Sequence, residues 1–176
     1  MDYKELKATI RADLGYTNAR PFKTFVTRYL FEAGFKFVFW LRITRYFYEK
    51  NKIIFIISRL ILKHYSYKYS FDISYKADIG KGLQIAHIGY IIVTSNTVIG
   101  ENCRLRPGVV FGKVLSREST GAVVGNNVEF GVGSKIIGDV HIGNNVIIGA
   151  NAVVVKDIPN NAVVAGIPGR VIRIRE

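Results

Sequence analysis

Residues 124–156 read VGNNVEFGVGSKIIGDVHIGNNVIIGANAVVVK, and a large aliphatic or aromatic residue returns there at every sixth position: Val124, Phe130, Ile136, Ile142, Ile148 and Val154. Gly follows four of the six directly. A second set of small or branched residues, Val128, Ser134, Val140, Val146 and Ala152, lies four positions after each of the first five. Upstream the same spacing runs through Val93, Ile99, Leu105 and Phe111 and, beyond a slip of two residues, through Ile85 and Ile79. Only Lys113 to Val123 breaks the phase, and that segment reads as a loop thrown out from a corner, the kind of element that lines binding sites on rigid solenoids.

A strict period of six does not suit hairpins. It suits a three-sided prism with one strand-and-turn unit per side, about eighteen residues per coil, and coils stacked at strand spacing of about 4.8 Å. Gly and Asn occupy the corners, where positive φ is often required. A dinucleotide-binding reading of the glycines fails because no helix-period segment follows any of them. The expected fold is therefore mainly β, a left-handed parallel β-helix over residues 71–176. By analogy to that architecture a homotrimer is expected.

Residues 1–70 follow other rules. They carry 14 Lys/Arg against 5 Asp/Glu, whereas residues 71–176 carry 11 against 8, so most of the net charge of +12 sits in the first part. Seventeen of the 22 aromatic residues lie there too. Apolar residues at positions 3, 6, 10 and 14 form one helical stripe, and further helices are expected over residues 22–33, 35–49 and 53–64. These basic amphipathic helices either pack on one another and on the β-helix, with Lys and Arg stems over apolar surface, or attach to an anionic membrane surface. No nucleic-acid-binding motif accompanies the charge. Acids near the N-terminus and the absence of any long apolar run predict a cytoplasmic protein, peripheral to the membrane at most. A lone Cys103 can form no internal disulfide and reads as a small buried hydrophobe.

Histidine is the side chain best suited to take a proton from a hydroxyl near neutral pH. Of the three present, His64 lies among the helices and His141 occupies an ordinary repeat position. His87 stands where the repeat slips. Asp72 precedes it by fifteen residues, slightly less than one coil of eighteen, which predicts a carboxylate on the neighbouring coil beside the imidazole. His87 and His141 fall three coils apart, roughly 14 Å, so no metal site is expected.

Asp72-Ile73, Ile79-Gly80-Lys81-Gly82-Leu83, His87, Val98-Ile99-Gly100 and the run from Ile148 to Pro159 resemble the serine acetyltransferase family, over about residues 71–172. The N-terminal part resembles the short, polysaccharide-cluster members of that group. The resemblance implies a catalytic dyad of His87 and Asp72. It also implies acetyl-CoA in a groove between subunits, lined by Gly112, Gly133, Ala150 and Lys156, with the basic segment Arg170 to Arg175 near the CoA phosphates. Two departures stand out: Ala86 replaces the Asp before the catalytic His, and Gly121 or a neighbour replaces a second His after the loop. Those residues hold the charged ends of serine in the family, and a buried charge without its partner is costly. The expected acceptor is accordingly a sugar hydroxyl of a surface polysaccharide or its precursor, with Arg117 or Glu118 as candidate replacement contacts. Serine as acceptor, and a non-catalytic trimeric scaffold, are the alternatives.

Overall fold

The computed structural model describes residues 2–15, 21–114 and 119–176. Four helices come first: α1 (Tyr3–Asp13), α2 (Pro21–Phe31), α3 (Ala33–Phe47) and α4 (Lys52–Tyr69). Asp2 caps α1 with a capping box, its Oδ1 accepting from the Glu5 N–H at 2.8 Å while Glu5 accepts from the Asp2 N–H at 2.6 Å. Asn51 caps α4 through a 3.0 Å bond from the Ile54 N–H. α4 runs five residues past the expected stop at His64, because Tyr65 and Tyr69 extend the inward stripe of Phe55, Ser58 and Leu62.

The remainder is the expected three-sided parallel β-helix. Its first face stacks β1 (Phe71–Ile73), β4 (Ile91–Val93), β7 (Val110–Gly112), β10 (Lys135–Ile137) and β13 (Val153–Val154). The second holds β2 (Asp78–Ile79), β5 (Val98–Ile99), β8 (Val123–Val124) and β11 (His141–Ile142). On the third lie β3 (Gln84–Ile85), β6 (Arg104–Leu105), β9 (Glu129–Phe130), β12 (Ile147–Ile148), β14 (Ala162–Ala165) and β15 (Arg170–Ile174), the last pair antiparallel. Every repeat position from Val93 to Val154 named above is buried, as are Val128, Ser134, Val140, Val146 and Ala152.

Coil length is not constant. Phe71 pairs with Ile91 and Val93 with Phe111, so the first coil takes twenty residues and the next eighteen. Phe111 pairs with Ile136, a coil of twenty-five that contains the expected loop. Residues 115–118 of that loop, with the candidates Arg117 and Glu118, lie outside the described residues. The chain re-enters the prism at Ser119, whose hydroxyl donates to Asp139 Oδ1 at 2.5 Å and whose carbonyl accepts from Asn96 Nδ2 at 3.0 Å. Left-handed corner positions carry Asn102, Asn127, Asn145, Asn151 and Asn161, since Asn tolerates positive φ better than most side chains.

One apolar core runs through both parts. Phe37, Val38 and Leu41 of α3 and Leu62 and Tyr69 of α4 join it, with the Phe37 ring edge-on to Phe71 at 5.2 Å. α3 and α4 thereby cover the first coil, whose strand edges would otherwise lie open. The contact is closest at Gly34, where a Cβ would stand 2.1 Å from the Ile85 carbonyl oxygen. Gly34→Ala is expected to push α3 off β3 and cost about 1–3 kcal/mol, read as a lowered thermal midpoint together with reduced activity.

A buried ion pair ties the helices to the prism. Arg42 donates to both carboxylate oxygens of Asp13, at 2.9 and 3.2 Å, and to the carbonyls of Ile79 and Gly80 at 2.5 and 2.6 Å. Asp13 also accepts from the Gly82 and Leu83 N–H groups at 2.8 and 2.9 Å. Both side chains are almost wholly buried. No described helix is long and apolar enough to cross a membrane.

Candidate functional site

A cleft of about 870 Å³ opens where the start of α3 and the end of α2 meet the third face of the prism. Arg28, Phe31, Glu32 and Gly34 form one wall. Gln84, Ala86, His87, Arg104, Arg106 and Val132 form the other. His87 sits at the corner between β3 and β4. Its φ is +69°, so it and Ser70 at the end of α4 are the only described residues other than Gly and Asn in the left-handed region. That conformation costs roughly 1–2 kcal/mol for an ordinary side chain and frequently marks a functional position. Among the described residues, no hydrogen bond or ion pair engages the exposed imidazole.

Three guanidinium groups share the cleft. Arg28 is engaged by Glu32 at 2.6 Å and by the Leu14 carbonyl at 2.5 Å. Arg106 lies 3.6 Å from Glu129. Arg104 is held through Nε and Nη2 by Gln84 Oε1, at 3.1 and 2.8 Å, a neutral partner that leaves its charge unneutralised. The arginines were not singled out from the sequence. Gln84, Arg104 and Glu129 are in register on the third face, but coils of twenty and twenty-five residues hide that alignment from an eighteen-residue repeat.

Within one chain, the expected approach of Asp72 to His87 does not occur. The first coil is twenty residues long, which sets Asp72 opposite Ile92, past the corner that carries His87. Asp72 opens instead on a separate hollow beside Arg59, Lys63 and Ser66 of α4. No hydrogen bond or ion pair joins the two within one chain. The residues implied for acetyl-CoA divide between the two edges of the first face. Gly133 and Ala150 lie on the corner shared with His87, at the entries to β10 and β13, whereas Gly112, the last residue of β7, and Lys156, past β13, lie at the opposite edge. Arg170 is exposed at the start of β15.

His141 is exposed on β11, its N–H donating to Asp157 Oδ1 at 2.8 Å. Among the described residues, no three of His, Cys, Asp or Glu gather as metal ligands. Cys103 is fully buried, with Sγ 3.4 Å from the Gly125 carbonyl, and burial pushes its thiol pKa up to about 11. The folded protein is therefore expected to resist a disulfide reagent at neutral pH and to react once denatured, which a colorimetric thiol titration checks. Gly121 has φ +85°, and a Cβ there would stand 2.4 Å from the Asn96 carbonyl oxygen, so this position admits no acceptor-binding side chain.

A three-sided parallel prism built on a six-residue period, with an exposed histidine at a slipped corner, defines a hexapeptide-repeat β-helix protein. Residues 121–156 match the family model of the bacterial transferase hexapeptide (six repeats). The serine acetyltransferase of Synechococcus elongatus is 31% identical over 140 residues, covering 79% of this chain and 57% of that protein. That of Staphylococcus aureus is 31% identical over 142 residues, covering 80% and 66%. The chain thus spans less than two thirds of the length of these relatives. A crystal structure of the Brucella abortus serine acetyltransferase in complex with coenzyme A matches with a TM-score of 0.84 at 25% identity, over 99% of this chain and 70% of that one. Over most of its own length the chain is thus similar to the serine acetyltransferases among the hexapeptide-repeat proteins.

Proposed function

We propose that the chain is an acetyl-CoA-dependent O-acetyltransferase with His87 as general base. The observation that carries this reading is an imidazole with no hydrogen-bond or ion-pair partner among the described residues, held in a left-handed backbone, on the wall of a large basic cleft. His87 takes the proton of an acceptor hydroxyl as its oxygen forms a bond to the thioester carbonyl carbon. The C–S bond of the tetrahedral intermediate then breaks, and the imidazolium returns the proton to the CoA thiolate, leaving an acetyl ester and free CoA. Asp72 makes no hydrogen bond or ion pair with His87 within one chain. Asp72→Asn is therefore expected to lower kcat far less than a His87 substitution.

Acetyl-CoA as donor is supported by the Brucella abortus relative, solved with coenzyme A. A homotrimer, the expected assembly, would place one copy's edge bearing His87, Gly133 and Ala150 against a neighbour's edge bearing Gly112 and Lys156. Serine as acceptor is the reading that the relatives support best. Arg104 favours it as well, because a carboxylate-bearing acceptor meets a guanidinium that, among the described residues, is held by the neutral Gln84 and by no carboxylate. The sugar reading keeps one specific observation: Ala86 lines the cleft where the family carries an Asp, and the space far exceeds one amino acid.

Thiol release from acetyl-CoA, measured with L-serine and with a panel of sugars, separates the two. Saturable turnover with serine, with KM raised about tenfold or more in Arg104→Gln, establishes the serine reading. Turnover with sugars alone establishes the other. Binding of acetyl-CoA without transfer to any acceptor overturns both.

A further inference from the structure

We propose that α4 is a membrane-docking element that lays its outer face on an anionic lipid surface. At 100° per residue, Phe55, Ser58, Leu62, Tyr65 and Tyr69 share one side of the helix, and Ser58, Leu62 and Tyr69 are buried against the core. Ile53, Ile57, Leu60 and Tyr67 point the opposite way and are 71%, 53%, 67% and 74% exposed. Ile56 adjoins them, and His64 is the one polar residue within the stripe. A helix with two apolar faces, only one of them used by its own chain, calls for a second apolar phase.

The charges say which one. Lys52 and Lys63 line one flank of the outer face and Lys68 the other, while Arg59 turns toward the Phe55 and Tyr75 rings, and α4 contains no Asp or Glu. Residues 1–70 as a whole carry nine more cations than anions. Two copies meeting through this face about a twofold axis would set these cations against each other, whereas anionic headgroups neutralise them. A basic flank beside an apolar stripe, on a helix about 27 Å long, is what lies flat in a membrane interface. The Lys63 ammonium already rests over the Tyr67 ring at 4.6 Å, its stem covering the apolar stripe. This proposal does not depend on the acceptor, and its test does not read catalysis.

The purified full chain would be floated with vesicles of phosphatidylcholine alone and with about one part phosphatidylglycerol to two parts phosphatidylcholine. Binding to the mixed vesicles only, weakened by added salt, is expected. The Lys52→Gln/Lys63→Gln variant should bind on the order of tenfold or more weakly, since each cation near the surface contributes roughly fivefold. Ile57→Glu/Leu60→Glu should abolish binding, with circular dichroism and the oligomeric state unchanged. Failure of the folded native chain to bind, or binding undiminished in both variants, overturns the proposal. So does a change of oligomeric state in the Glu variant, which would show that a second copy covers this face.

Discussion

His87→Asn is expected to lower kcat by about 10²–10⁴-fold, the usual contribution of a positioned general base, while leaving the fold intact. Five other corners of this prism hold Asn in the left-handed region at φ near +57°, between 56° and 61°. The substitution therefore removes the base without asking the corner for a new conformation. It even relieves backbone strain, so the thermal midpoint should stay or rise. Rate and melting curve measured on the same preparation make the test sharp: a loss of activity with an unchanged or higher midpoint assigns the effect to chemistry. A fall in kcat smaller than about tenfold would remove His87 from the role of base.

Arg42→Met is expected to cost about 3–5 kcal/mol of stability, because it strands a buried carboxylate. Asp13 is only 2% exposed and would keep the Gly82 and Leu83 N–H groups but lose its counter-charge. The carbonyls of Ile79 and Gly80 would lose their guanidinium donor in the same step. Urea denaturation of the variant reads the loss. The double variant Asp13→Leu/Arg42→Met should recover part of it, since a buried pair replaced as a unit leaves no lone charge. Recovery stays incomplete, because two backbone N–H groups and two carbonyls are then left without these partners. If the single variant is as stable as the native protein, the network is not what holds α1 and α3 to the β-helix.

The β-helix was legible because its signal is local and repeated. Ile99, Leu105, Phe111, Phe130 and Ile136 each announce an inward position through spacing alone, and each is buried. The helices were legible from apolar stripes, with ends displaced by about two residues, except for α4, whose last turn depends on Tyr65 and Tyr69 packing against partners distant in sequence. The candidate site was legible in one residue. His87 stands out because the repeat slips beside it, whereas the place of Asp72 within the chain follows from a coil of twenty residues and not eighteen. Arg28, Arg104 and Arg106 went unseen. Nothing in the phase of a helix or a repeat says which outward residues from the two parts will face a common space.

By itself, then, the sequence determined which side chains go inward, the period of six, and the triangular parallel architecture that follows, because steric fit and burial repeat the same choice at every unit. Only the tertiary structure decided which outward residues the longer coils set beside one another, the docking of Gly34 against Ile85, and the pairing of Asp13 with Gly82 across 69 residues of chain. These contacts depend on complementary shapes and charges that meet only when distant segments close on one another. From that closure come the cleft, its three arginines, and the bare outer face of α4.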